Sequence, residues 1–364
     1  MFFTTPSLIL PALSLGVTVV TAQDGFIPHA SKLFTWPDIP YKVDTSTGLS
    51  RGEQLGYNIC NSTTEHQDSL CQTMHFNSID DFCLWGPPEF GETVGAVEGK
   101  MVAWCTKPGH GTRLIPAGAL TGVQWMRTPD YIQVVGFLDQ TKINVLPDDD
   151  GGEMDPHGED QRGNPMGGLM FTNAWSEDGS TPQQVIQWHN FLGAGIFCLK
   201  ACDPRGEFDA QYCEHKLDRI GCAYNAPNNA QDGVFETCEG ESQDFPGVYT
   251  DENGEVQTYT QPASDIWPVP YTPRIPSSSN CVTHTSAALY TALPTVTSDS
   301  PGPSETPRVI TSRSSATSES GTGTGAPRAT GGAGSTDDSE TGSGSRVAAP
   351  AMLLLASAFS LFLL

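Results

Sequence analysis

Residues Ala119 to Leu138 read ALTGVQWMRTPDYIQVVGFL, and the fold class turns on them. Leu120, Val123, Trp125, Tyr131, Ile132, Val134, Val135 and Phe137 are β-branched, aromatic or aliphatic, which suits a pleated, half-buried surface. Thr128-Pro129-Asp130 interrupts the run. Proline presets φ for a turn, and aspartate can bond its own backbone there. The stretch predicts a β-hairpin. Working outward, Lys100 to Thr106 reads as another strand, and Gln184 to Phe191 with Gly195 to Lys200 as a second pair around Gly193-Ala194-Gly195. One helix is predicted, Asp209 to Ile220, with Asp209 as cap, Tyr212, Cys213, Leu217 and Ile220 on one face, and Gly221 as stop. The fold class expected is mainly β with short helices, a disulfide-braced ectodomain over residues 23–275.

The ten cysteines support the bracing: Cys60, Cys71, Cys83, Cys105, Cys198, Cys202, Cys213, Cys222, Cys238 and Cys281. An even count with none in either hydrophobic end is the pattern of an oxidised, exported chain. Spacing does not give the pairing, but the long gap from Cys105 to Cys198 suggests an early and a late group. Charge is one-sided, with Lys+Arg 18 against Asp+Glu 42 and a net −24. Such a surface repels phosphate backbones, so nucleic acid is excluded as a partner class.

Both ends read as processing signals. Met1 to Ala22 carries an apolar stretch around Leu8 to Val20, and Val20 and Ala22 occupy the −3 and −1 places before Gln23, so 1–22 is expected to be a cleaved signal peptide. Val347 to Leu364 is apolar and has no basic flank after it. Small residues precede it, the order read by the enzyme that attaches glycosylphosphatidylinositol (GPI). Gly342 or Ser343 is the expected attachment site, with Asp338 or Ser339 as outside choices, and 346–364 the removed tail. Residues 276–345 are dominated by Ser, Thr, Gly and Pro, which read as a disordered, O-glycosylated stalk. Asn61-Ser62-Thr63 is an N-glycosylation acceptor. The expected location is extracellular, at the cell surface or wall, joined to the plasma membrane through the GPI lipid.

A run of motifs carries a family resemblance. It begins with Cys60-Asn61-Ser62-Thr63-Thr64 and Asp80-Asp81-Phe82-Cys83-Leu84-Trp85. It continues with Thr128 to Val134, Gly151-Gly152-Glu153-Met154-Asp155-Pro156-His157-Gly158 and Gly163 to Leu169. Phe197-Cys198, Ala201-Cys202 and Gly233 to Cys238 complete it. In this order they resemble the fungal surface glycoproteins called macrophage-activating glycoprotein or immunoreactive mannoprotein. The resemblance implies a mannosylated, anchored surface antigen and no reaction.

Catalytic patterns are sparse. No His-Glu-x-x-His occurs, and Val43-Asp44-Thr45-Ser46 lacks the second half-site that an aspartic dyad needs. The densest polar run is Asp148 to Asp160, where seven carboxylates share a Gly-rich segment. Asp148, Asp150, Glu153 and Asp155 are the candidate Ca²⁺ ligands, because closely spaced hard oxygens suit that ion; a solvated acidic loop is the alternative. No other cofactor is expected. The reading favoured is a non-enzymatic, GPI-anchored wall mannoprotein whose partners are wall glycans. The alternatives are a carbohydrate-binding protein, Ca²⁺-dependent or not, and a wall glycan hydrolase or transferase.

Overall fold

A computed structural model of the chain describes residues 26–294. The expected signal peptide, Gly342, Ser343, the hydrophobic tail and residues 295–345 of the expected stalk lie outside the described residues. The strands are β1 (Thr73–Ser78), β2 (Asp81–Gly86), β3 (Val102–Cys105), β4 (Arg113–Leu114), β5 (Leu120–Arg127), β6 (Tyr131–Leu138), β7 (Gly152–Met154) and β8 (Leu169–Thr172). They continue with β9 (Gln183–Val185), β10 (Trp188–Gly193), β11 (Ile196–Cys202), β12 (Phe235–Gly240), β13 (Val248–Thr250), β14 (Val256–Thr258) and β15 (Ser278–His284). The helices are single turns: α1 (Val94–Val97), α2 (Asp209–Tyr212), α3 (Gly221–Asn225) and α4 (Ser286–Leu289).

Two mixed sheets face each other. One runs β4-β3-β2-β1-β8-β9, the other β15-β12-β5-β6-β11-β10-β7. The hairpin expected at 119–138 forms the middle of the second sheet, with Trp125 opposite Val134. Between the sheets lie Phe82, Leu84 and Trp85 from one side and Val134, Trp188, Phe197 and Leu199 from the other. Trp85 meets Trp188 at 6.0 Å between ring centroids, and Phe82 meets Phe197 at 5.9 Å. Because strand side chains alternate, the second sheet also has an outer face. Val135, Phe191 and Cys198 lie there, packed under Cys222 and Ala226.

All ten cysteines are paired: Cys60–Cys71, Cys83–Cys105, Cys198–Cys222, Cys202–Cys213 and Cys238–Cys281. The early and late groups do not mix. Two of these bonds fasten the 213–222 segment onto β11, making a third, irregular layer over the outer face.

Two expectations change. The 209–220 helix stops at Tyr212, and Gly221 begins α3 instead of ending a helix. Glu214 Oε1 accepts from the backbone N–H groups of His215 and Lys216, a local turn that competes with helical bonding. The folded body also runs past 275. Ser278–His284 is the edge strand β15, riveted to β12 by Cys238–Cys281. Beyond it, Tyr290 is buried and its hydroxyl donates to the Ile79 carbonyl at 3.1 Å. An exposed edge strand of Ser and Thr has no apolar alternation, so composition alone assigns it to the stalk.

Candidate functional site

Strand β7 is the last strand of the second sheet, and it places Glu153 opposite Phe191 on the outer face. Beside it opens a cleft of about 930 Å³. Its walls come from five parts of the chain: the turn after α1, the β7 segment with the loop that follows it, the β10–β11 hairpin, the disulfide-fastened 215–223 segment and Ile266. Glu98, Asp150, Glu153, Asp155, Glu159 and Asp218 all line it.

Glu153 is the anomaly. It is 4 % exposed, and neither carboxylate oxygen has a hydrogen-bond partner. Burial pushes its pKa well above the ordinary range, and Asp155 and Asp218 push further in the same direction. Burial likewise raises Asp155, although its Oδ1 accepts from the N–H groups of His157 (2.6 Å) and Gly158 (3.0 Å). Burial pushes Glu98 up to about 7; Arg51 pulls it down and Asp155 pushes it up. Its Oε1 accepts from Asn164 Nδ2 at 3.0 Å. At the rim, His157 stacks on His215 with centroids 3.6 Å apart. Burial, then His157, lowers His215 to about 4, so that ring is neutral and adds no positive charge near neutrality. The cleft is a concave surface rich in carboxylates, several of which lack a compensating cation.

A second groove of about 600 Å³ is lined by Tyr224, Tyr249 and Tyr271. Tyr249 and Tyr271 are stacked at 4.8 Å, and Trp267, 60 % exposed, meets Tyr224 edge-on at 6.0 Å. Ala223 and Ile266 line the carboxylate cleft, while their chain neighbours Tyr224 and Trp267 belong to this aromatic group. The two surfaces therefore adjoin.

The expected site residues divide. Of the four Ca²⁺ candidates, Glu153 and Asp155 are buried and line the cleft, Asp150 is exposed on its wall, and Asp148 is exposed and outside the lining. Among the described residues, one group of three His, Cys or acidic side chains has its ligand atoms within 4.8 Å of one another: Glu236, Cys238 and Cys281, whose sulfurs form a disulfide. Asn61 is exposed, and its Oδ1 accepts from the Thr63 N–H and hydroxyl. Asp44 is a buried structural residue. Gly48-Leu49-Ser50-Arg51-Gly52 matches the Gly-x-Ser-x-Gly pattern of serine hydrolases, yet it lies in a surface turn and lacks the strand-to-helix elbow. Trp85, Trp104, Trp175 and Trp188 are core residues. Glu98, Asn164, His215 and Asp218 are missed by sequence reasoning, because no spacing links them to β7.

Over 204 residues the chain is 49% identical to appressorium protein ROW1 of Mycosarcoma maydis, a match covering 56% of this chain and 47% of that protein. Over 247 residues it is 40% identical to appressorium protein ROW2 of the same fungus, covering 67% of this chain and 79% of that protein. The chain belongs to this family of fungal proteins. It spans about half the length of ROW1 (47%) and most of ROW2 (79%). No family model and no solved structure matches it.

Proposed function

We propose that this chain is an exported fungal cell-surface protein that holds wall glycan in the β7 cleft without cleaving it. Its mature form is carried on a mannosylated Ser/Thr-rich segment and joined to a glycolipid at Gly342 or Ser343. One observation carries the binding role: a roomy cleft, walled by disulfide-fastened segments and lined by six carboxylates, one of which, the buried Glu153, has no hydrogen-bond partner within the protein. A concave surface in which carboxylates are set among apolar wall atoms, beside exposed aromatic rings, is an arrangement that receives sugar rings. Kinship with two appressorium proteins supports a role at the fungal surface, in infection structures. The likeness of its motifs to immunoreactive mannoproteins agrees with heavy mannosylation.

Two measurements test this. Phospholipase that cuts GPI should release the protein from intact cells, and the released chain should end at Gly342 or Ser343 by mass spectrometry. A glycan array probed with the deglycosylated body, with and without chelator, should show binding to wall-type glycans. Retention after phospholipase, or a blank array, overturns the respective half of the reading.

The cleft also favours a second reading. A buried carboxyl held protonated near other carboxylates is the pairing a glycosidase uses, one as acid and one as base or nucleophile. Release of reducing ends from wall polysaccharide, lost in Glu153→Gln, would establish hydrolysis in place of simple binding.

A further inference from the structure

We propose that the glycan taken by the β7 cleft carries free amino groups, with Glu153 facing an ammonium of a polyglucosamine-type chain. This rests on the glycan-binding reading and adds the chemical class of the ligand. The first observation is charge. Six carboxylates line the cleft, against Lys216 and Arg219. Arg219 is committed elsewhere, donating to the carbonyls of Pro262 and Ala263. A chain of net charge −24 also draws polycations toward such a surface.

The second observation is Glu153 itself. It is a cleft-lining side chain, 4 % exposed, with both oxygens unpartnered. A buried acceptor of that kind is unfavourable until a donor or cation meets it. A neutral glucan brings hydroxyl donors but leaves the surplus of negative charge. Burial holds the empty Glu153 carboxyl in its neutral form; an ammonium against it supplies three donors together with the positive charge that favours its ionisation.

Geometry separates this ligand from a bare divalent ion. A Ca²⁺ shell draws six or more oxygens to within about 2.3–2.6 Å of one point. No three cleft carboxylates among the described residues come within 4.8 Å of one another. Acidic groups spread along a cleft match charges repeated along a polymer. The adjoining Tyr224–Trp267 surface offers apolar ring faces for the flat side of a pyranose.

The test is calorimetric titration of the purified, secreted chain with four probes: a short β-1,4-glucosamine oligomer, its fully N-acetylated counterpart, CaCl₂ and a short oligolysine. The glucosamine oligomer should bind about tenfold or more tightly than the acetylated one, and binding should weaken with salt. Glu153→Gln should lose a similar factor while its melting temperature does not fall, since no internal hydrogen bond is removed. Glu177→Gln, an exposed control outside the cleft, should bind as the parent does. Equal binding of both oligomers overturns the inference and keeps glycan binding; binding of neither overturns both. Oligolysine bound as tightly as glucosamine makes the site one for basic peptide. Ca²⁺ binding that Glu153→Gln abolishes, with no amino-sugar binding, makes it a cation site. An unchanged Glu153→Gln also overturns the proposal.

Discussion

Arg162 and Asp44 form an ion pair closed off from water: Arg162 Nε lies 2.7 Å from Asp44 Oδ2, and each side chain is 1 % exposed. The pair joins the N-terminal segment to the turn that follows β7. Arg162 Nη2 also donates to the Gly52 carbonyl, and Asp44 Oδ1 accepts from the Ser46 N–H. Removing one partner strands a buried charge. Arg162→Ala and Asp44→Ala should each destabilise by about 3–5 kcal/mol in urea unfolding, while an apolar pair of similar volume should recover most of that.

Residues 276–294 belong to the fold. A chain ending at Pro294 should be as stable as the full ectodomain. One ending at Ile275 loses β15, the Cys238–Cys281 bond and Tyr290. Removing the disulfide alone, by Cys238→Ala with Cys281→Ala, should reduce stability by about 3–4 kcal/mol for a loop of this length. Thermal melts of the variants check both statements.

Lys200 is the polar pin of the outer layer. It is fully buried, its ammonium donates to the Asn225 carbonyl and the Gln243 side chain, and it stands 4.7 Å from the Tyr131 ring centroid. Lys200→Ala should strand these acceptors and open a void, a loss of about 3 kcal/mol or more. Hydrogen exchange should show the 203–230 layer loosening before either sheet.

Glu98 gives a pH test. Its pKa is raised by burial from 4.5 to about 7, so the folded state holds that proton more tightly than the unfolded chain does. This contribution is complete below pH 4.5 and is lost as pH rises through 7. Glu98→Gln cannot lose a proton there. The melting temperature of Glu98→Gln relative to the parent should therefore rise between pH 5 and 8. Partial exposure of the group limits the change to about 1 kcal/mol, or roughly 2–4 °C. A difference independent of pH would refute the assignment. Comparison with the parent is needed because the buried, neutral rings of His29 and His75, lowered by burial to about 4 and about 3, act in the opposite sense.

Asn61 is an exposed acceptor whose Oδ1 is already turned toward the Thr63 hydroxyl. Asn61→Gln should remove one N-glycan, visible as a shift in intact mass that enzymatic deglycosylation of the parent reproduces.

The 119–138 hairpin, the separation of the cysteines into two groups and a second strand pair were legible in the sequence, although that pair, read as 184–191 with 195–200, lies at Trp188–Gly193 and Ile196–Cys202, and Gln184 and Val185 fall in a strand of the other sheet. Each depends on local chemistry: turn residues, β-branched runs and chain distance. Glu153 and Asp155 also stand out in sequence as part of an acidic run. Nothing in that run says that they turn inward while Asp148 stays in solvent. The same limit hides β15, whose strand identity comes from a neighbour and a disulfide, not from its own side chains.

The β-branched and aromatic runs between turn residues, the charge and the even cysteine count determined by themselves that this is a β-rich chain of oxidised, acidic character, because those are properties of local sequence and of composition. Tertiary structure alone decided that Glu98, Glu153, Asp155 and Asp218 share one cleft. Their meeting needs β7 at a sheet edge and two disulfides laying a distant segment across β11. Burial, which changes what a carboxyl can do, is a property of that assembly and of no single stretch of chain.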